Sequence, residues 1–580
     1  MPEYLAPGVY VEETSFRAKS IEGVGTSTTA FVGPTRKGPF RVDDDDSTFP
    51  ELLTSYGDFE RLYGSFADLA LTGTDQHANF VAHAARAFFN EGGSRLYVAR
   101  VPGAGAAPAT ATVAANVGFT ARFPGAAGNG RIIIREVVTP ASRVVMDNAP
   151  AGTLLRTSSG TPPVVSHHVK LGSEWHPAGA PNDPAADPAG LAGATPRVVT
   201  MIVTVRDADG NETSYEDIGF DRTHPRWIGH VLAETPSRRA DQLENLFAIT
   251  VGANVSGMAL HDGLLQGAVA NADGDLVREI ALADGTDGGV PGENEYALAF
   301  GQLAALEDVS IVAAPGSSTY PQGQAITGAL IAHAEARRAY RIAVLDTPPN
   351  QTLGDVRTLR GQMDSRYAAL YFPWVIVANP LARPGREDIP RELALPPSGF
   401  VCGIYARNDI ERGVHKAPAN EVVRSALRFE IDVNFGQQGL LNPMGVNCLR
   451  LLSGRGYRVW GARLISSDPE WKYVSDRRYM TYLEGSIDRG TQWAVFEPNG
   501  ERLWANVRQT VADFLYNEWV NGRLLGKTQE EAFFVRCDRS TMTQNDLDNG
   551  RLVCLIGVAI IKPAEFVIFR IGQKTADARA

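Results

Sequence analysis

The sequence predicts an α/β multidomain chain, and three of its features carry that prediction. A helix–strand unit lies near the start, where Val81, Ala84, Ala85, Phe88 and Phe89 recur at helical spacing just before the β-run Arg95–Val101. Strand–helix–strand order returns between Val309 and Leu345, which argues for a parallel sheet covered by helices. Between them, 102–291 is a stretch of another texture, rich in Ala, Gly, Pro and Thr, with short β-runs. At 580 residues the chain exceeds what one hydrophobic core holds, so several domains are expected.

In chain order, the first twenty residues read as an arm. Val9, Tyr10 and Val11 form a β-prone run between Pro7-Gly8 and Glu12-Glu13, with nothing local to pair with. A second run, Thr28–Val32, stops at Gly33-Pro34. Asp43–Asp46 reads as a solvated loop, because calcium needs ligands spread over a shaped turn. The helix that starts near Asp75 is stopped by Gly92-Gly93.

Within 102–291, strands are expected at Arg131–Val138 and Val198–Arg206, a turn at Asp209-Gly210 and a mobile loop over 177–195. The α/β texture then resumes with strand Val309–Ala313, helix Ala325–Arg338, strand Arg341–Leu345 and a strand over Ala369–Val377. Near the end, Glu497-Pro498-Asn499 opens a helix with Leu503, Val507, Val511, Phe514, Leu515 and Trp519 on one face, closed by Gly522. Two β-runs follow, Leu552–Ile561 and Glu565–Ile571, separated by Lys562-Pro563. Residues 574–580 are a polar, frayed end.

Charge and composition exclude several functions. With 55 basic against 66 acidic residues, the net charge is −11, the wrong balance for gripping nucleic acid along a surface. Cys402, Cys448, Cys537 and Cys554 form no closely spaced pair, so they read as reduced, mostly buried thiols and not as a zinc site. Apolar runs reach about half the roughly twenty residues a membrane span needs. The N-terminus has no signal-peptide pattern, so a soluble, unexported chain is expected.

A search for chemistry finds little. Gly23 and Gly25 have the first spacing of a dinucleotide loop, but the third glycine and a strand in the right frame before them are missing, so the signal is weak. Residues 285–289, GTDGG, could cradle an anion or could simply be a turn joining two domains. The adjacent His167 and His168 would point to opposite faces of a strand. No catalytic constellation, metal site or cofactor site emerges. The C-terminal arginines, Arg477 and Arg478 among them, could salt-bridge internally or face an acidic partner. Both ends carry β-runs outside any domain body, and unpaired strands are a liability unless they add to a sheet in another copy. Head-to-tail contacts of that kind do not close; they build helical filaments or tubes.

The motifs at both ends resemble the contractile tail sheath proteins of phages and of related bacterial contractile injection systems. On the N-terminal side the resemblance rests on Leu5–Glu13 (LAPGVYVEE), Ile21–Pro34, Gly38-Pro39 and Ala87–Gly93 with the strand Leu96–Arg100. On the C-terminal side it rests on Leu441-Asn442, Gly445-Val446, Gly456–Arg463 (GYRVWGAR), Arg477-Arg478, Val495–Asn499, Ala532–Asp538 and Lys562–Phe566 (KPAEF). Ile560 stands where the family's strand before KPAEF often carries a proline.

The resemblance implies an inner α/β sheath domain built from N- and C-terminal parts, an α/β middle domain and a β-rich outer insertion. Terminal β-arms would be exchanged between subunits. The corresponding ranges are 1–20 for the N-terminal arm, 21–101 for the first part of the sheath domain and 102–291 for the insertion. The middle domain takes 292–400, the C-terminal inner domain 401–560 and the C-terminal arm 561–580. The function implied is a force-generating structural subunit, not an enzyme, polymerising as stacked six-fold rings around a tube and contracting to drive it through an envelope. Its partners would be itself, the inner tube, and baseplate and terminal cap proteins, with no nucleic acid and no direct membrane insertion. It would assemble in the cytoplasm as part of a phage tail or a released tail-like particle. Val9, Tyr10 and Val11 and Phe566, Val567, Ile568 and Phe569 would be the exchanged strands, and Arg477 and Arg478 would face the tube. The alternative is a soluble α/β enzyme with the anion loop at 285–289.

Overall fold

The computed structural model describes residues 20–40, 50–75, 77–159, 161–162, 164–190, 195–272 and 274–571. Its centre is an eight-stranded sheet assembled from distant parts of the chain. The strands are β1 (Thr29–Gly33), β2 (Leu96–Arg100), β3 (Ile311–Ala313), β4 (Ile342–Asp346), β5 (Ala368–Phe372), β6 (Glu421–Val422), β7 (Val446–Leu452) and β8 (Gly456–Val459). They lie in the order β6-β8-β7-β5-β4-β3-β1-β2. The pairs from β2 across to β7 are parallel, and only β8 and β6 run antiparallel at the edge.

Strands buried on both faces need unbroken apolar runs, and β1 (TAFVG) and β5 (AALYF) have them along their full length. Phe31, Val98, Val344 and Tyr371 point to one face, beneath the helices α1 (Phe80–Glu91) and α4 (Ser398–Arg412). Ala30, Val32, Val312 and Leu370 point to the other, beneath α2 (Glu293–Ala304) and α3 (Gly323–Glu335). Helix α1 begins where the Asn79 side chain accepts from the Ala82 amide and ends at Gly92, whose φ of 108° is left-handed. Helices α1 and α4 approach closely at two glycines. A methyl on Gly399 would lie 2.7 Å from the Ala84 Cα, and one on Gly403 2.6 Å from the Phe88 carbonyl oxygen.

This sheet redraws the expected domains. The 21–101 segment shares this sheet with the middle segment and with β7 and β8 of the C-terminal one, since β1 is hydrogen-bonded between β2 and β3. The expected boundary at 400 falls inside α4, and β7 and β8 extend the same sheet to Val459. A separate C-terminal unit begins beyond it, with α5 (Val474–Gly490), α6 (Glu501–Val520) and the hairpin Phe533–Arg536/Leu555–Val558. Its core gathers Tyr479, Leu483, Leu503, Val507, Val511, Phe514 and Leu515, so the apolar stripe read from spacing is the buried face of α6. Residues 21–26 bridge the two units: Ile21 enters this core, and the Val24 amide donates to Ser486 Oγ at 3.1 Å.

The expected strand Ala369–Val377 is two strands. Pro373 has no N–H to continue a ladder, and Val375–Ala378 turns into a small sheet with Glu392–Leu395 and Arg428–Phe429. Residues 102–291 hold a largely separate body. Its eight-stranded sheet includes Arg131–Pro140 paired along its length with Arg197–Arg206. A second sheet of three strands, 110–114, 117–121 and 247–251, packs on it through Ile132, Ile134, Met201, Val203, Phe119 and Ile249. Gly210 turns the chain after Arg206 with φ of 90°, where the sequence placed Asp209-Gly210.

Candidate functional site

The glycine-rich stretch 285–289 is a seam between the central sheet and the insertion. Its amides are already used: Gly285 N donates to Asn129 Oδ1 at 2.8 Å, Thr286 N to the Ala107 carbonyl at 3.0 Å and Gly289 N to the Ala104 carbonyl at 2.8 Å. The Asp287 carboxylate accepts from the amides of Ala70 at 2.6 Å and Ala126 at 2.7 Å. A loop whose donors are satisfied and which carries its own buried carboxylate is a joint, not an anion cradle. Among the described residues no cluster of His, Cys, Asp or Glu is placed to hold a metal ion, and no helix is long and apolar enough to cross a membrane. Cys402, Cys448, Cys537 and Cys554 are free thiols, and burial pushes Cys448 up to about 12.

Arg477 and Arg478 lie in the first turn of α5, but inside the protein, 2% and 5% exposed. Adjacent helical residues diverge by about 100°, so the two find different partners. Arg478 donates to both carboxylate oxygens of Asp409 on α4, at 2.9 and 2.6 Å, and to the Thr26 carbonyl at 3.0 Å. Its guanidinium also sits 4.7 Å from the Tyr405 ring. Burial holds the Asp409 carboxyl above the usual carboxylate range, with Arg478 opposing it only in part. Arg477 donates to Glu484 at 2.8 Å and lies 4.6 and 4.4 Å from the rings of Tyr367 and Trp471. In the arginines expected to face a tube, both guanidinium groups are bound to partners within this chain. Arg478 ties together the N-terminal segment, the central sheet's helix α4 and the C-terminal unit.

The C-terminal strand residues sit differently. Phe566, Val567, Ile568 and Phe569 are 69%, 69%, 79% and 83% exposed and belong to no strand of this chain. Apolar side chains in a row at such exposure are what a monomer normally hides. Immediately before them the chain is held firmly. Glu565 accepts from Arg463 Nε at 2.7 Å and Nη2 at 2.6 Å, from Tyr473 Oη at 2.9 Å and from Asn442 Nδ2 at 2.8 Å. Lys472 Nζ stands 3.5 Å away. Burial works to raise this carboxyl, but the hydrogen bonds and the Arg463 charge prevail and hold it at about 2.

The C-terminal unit also holds a sheet of two strands only. The hairpin Phe533–Arg536/Leu555–Val558 is a two-stranded sheet, and among the described residues no third strand pairs with either edge. Phe534 covers Gly557 on its outer side and stays half exposed, as does Leu555. The β-run read over Leu552–Ile561 contributes only Leu555–Val558 to this hairpin, with an isolated bridge from Ile560 to Leu524. Val9, Tyr10 and Val11 lie outside the described residues. Sequence reading missed Glu565 and Asp409 as organising residues. The signal available for Glu565 was its place in KPAEF, while Asp409 had none.

Residues 291–463 match the phage tail sheath protein central domain, and residues 466–574 match the phage tail sheath C-terminal domain. A prophage major tail sheath protein of Pseudomonas aeruginosa (strain UCBPP-PA14) is 27% identical over 301 residues, 50% of this chain and 72% of that one. The helical sheath of the anti-feeding prophage in its contracted state aligns with 98% of this chain and 100% of its own, at TM-score 0.53 and 20% identity. The sheath complex of PVC, an extracellular contractile injection system, also in a contracted state, aligns over 99% of both chains at TM-score 0.50 and 18% identity. Two successive sheath domains, a sheath relative over half the chain and a shared fold over nearly all of it place this chain in the contractile tail sheath family, as a structural subunit of a phage tail or contractile injection system.

Proposed function

We propose that the chain polymerises as stacked six-fold rings wound helically around an inner tube and contracts to drive that tube through a target envelope. The carrying observation is the exposed apolar segment 566–569 in a chain that also carries a two-stranded sheet with no third strand paired to it among the described residues. A neighbour's arm would extend that sheet by main-chain hydrogen bonds and bury its apolar side chains. Fully burying a side chain such as Phe or Ile stabilises by about 1.5–3 kcal/mol, so one arm offers a gross gain on the order of 10 kcal/mol before ordering costs. Val9–Val11 would serve as the second arm. A flexible main-chain link can stay paired while larger surfaces slide past one another, which is what a shortening, widening polymer requires.

The relatives solved as sheath assemblies in contracted states support this reading. The inner tube, a baseplate and a terminal cap are the partners such a polymer needs, and assembly in the cytoplasm as part of a phage tail or a released tail-like particle follows from the same reading. Removing residues 566–580, or residues 1–15, should leave folded monomers that form no long sheaths under the electron microscope. Normal sheaths from either truncation would overturn the arm exchange.

A further inference from the structure

We propose that Glu565 is the anchor through which a second copy of this chain, holding the C-terminal arm, pulls on this subunit's central sheet. The proposal rests on the reading of residues 566–569 as an exchanged strand. The arm does not leave the body from a loose loop. Its last fixed residue is a carboxylate gripped by three side chains, two of its bonds forming the bidentate fork of Arg463. Charge-assisted, paired hydrogen bonds are the strongest such contacts and fix orientation as well as position. Directly beyond it, Phe566 and the residues up to Ile571 are exposed, so the transition from held to free chain falls at one residue.

The grip continues inward. The Arg463 amide donates to Asn447 Oδ1 at 2.6 Å, and Asn447 Nδ2 donates back to the Arg463 carbonyl at 2.7 Å. Asn447 is fully buried in β7, whose neighbour in the sheet is β5. Arg463 Nη1 also donates to the Asn442 carbonyl at 3.0 Å, and Asn442 itself holds Glu565. A pull on the arm therefore passes from Glu565 through Arg463 and Asn447 into the parallel sheet. It does not have to peel the small C-terminal hairpin on the way. Arg463 is 7% exposed, so added salt should screen the pair only weakly. The carboxyl, held at about 2, stays ionised at any pH where the particle would work.

Such an anchor differs from an ordinary stabilising ion pair in what its loss changes. Among the described residues, 566–571 are exposed and enter no core, so freeing them should leave the body folded while the arm loses its fixed origin. The test uses full-length Glu565→Ala and Glu565→Gln and a chain truncated after Glu565. It measures the urea midpoint of the monomer, hydrogen exchange of the 559–565 peptide and the concentration at half polymerisation by sedimentation. The expected result for Glu565→Ala is at least a tenfold higher polymerisation concentration and fast exchange confined to 559–565, with the urea midpoint lowered by the stranded Arg463 but the monomer still folded where polymerisation is assayed. Glu565→Gln should fall between.

If Glu565→Ala polymerises like wild type while the truncated chain does not, the anchor is wrong and the exchanged strand stands. If the truncated chain polymerises like wild type, the exchanged strand itself fails. If the loss of polymerisation is matched by general unfolding of the monomer, Glu565 is only a structural contact and the proposal is overturned. Should Glu565→Ala not fold, Arg463→Lys, which keeps charge but loses the fork, carries the same expectation and the same refutation.

Discussion

The Asp409–Arg478 pair gives the sharpest energetic test of how the two units are joined. Its side chains are 2% and 4% exposed, and Arg478 spends its donors on Asp409 and Thr26 alone. Asp409→Ala strips the carboxylate and leaves a guanidinium buried against one carbonyl and the Tyr405 ring. Leaving one partner of a buried pair uncompensated costs about 3–5 kcal/mol, whereas replacing both by apolar groups is often close to neutral. Asp409→Ala should therefore cost about 3–5 kcal/mol, and Asp409→Ala with Arg478→Met clearly less than the sum of the two singles. The coupling expected is about 2 kcal/mol or more.

The assay is urea unfolding of the monomer below its polymerisation concentration, followed by tryptophan fluorescence. Trp504 and Trp519 lie in the C-terminal core that α5 helps to build, so they report the transition that matters. Each unit can unfold in its own step, and the step to compare is the one carrying this signal. If the single costs add to within about 0.5 kcal/mol, or if Asp409→Ala costs less than about 1 kcal/mol, the pair does not join the units as described.

Further outcomes follow from the same structure. Gly403→Ala should destabilise by about 1–3 kcal/mol, since its methyl would lie 2.6 Å from the Phe88 carbonyl oxygen. Gly301→Ala, in open space on α2, should gain up to about 1 kcal/mol; equal effects at the two sites in thermal unfolding would contradict the close crossing of α1 and α4. Asp346 accepts from the Ser398 amide at 2.7 Å and from its hydroxyl, and burial raises its carboxyl to about 7 against those bonds. The unfolded chain then binds fewer protons than the native one between the ordinary aspartate value and about 7, so this residue's contribution falls as pH rises through that window. Asp346→Asn should flatten the decline between pH 4 and 7 in urea titrations; an unchanged slope would refute it. Ile568→Asp, at a side chain 79% exposed, should leave monomer stability within about 0.5 kcal/mol of wild type while preventing polymerisation seen by sedimentation.

What could be read from the residues followed local physics. Helix α1 and strand β2 were legible because spacing, a glycine stop and a continuous apolar run all agree over 80–101. The stripe from Leu503 to Trp519 was legible for the same reason. What was not legible depends on contacts between distant segments. Nothing local to Thr29–Gly33 says that it will lie beside both Leu96–Arg100 and Ile311–Ala313, so the division into domains by chain position came out differently in three dimensions. For Arg477 and Arg478 the sequence leaves internal salt bridging and an acidic partner both open, because Asp409 and the rings of Tyr367 and Tyr405 lie far away along the chain. The exposed apolar run Phe566–Phe569 stood out in the sequence as a β-run after a proline, with no domain left to receive it. Its anchor did not, because one glutamate in a motif carries no mark of the three side chains that hold it.

The most direct test of the account is a cryo-EM reconstruction of the purified, polymerised protein. The account predicts a helical tube of six-fold rings in which residues 566–569 of one subunit run as a strand along the edge of a neighbour's Phe533–Arg536/Leu555–Val558 hairpin, with Glu565 still on Arg463 of its own chain. A small closed oligomer, or a tube in which residues 566–569 fold back on their own subunit, would contradict it.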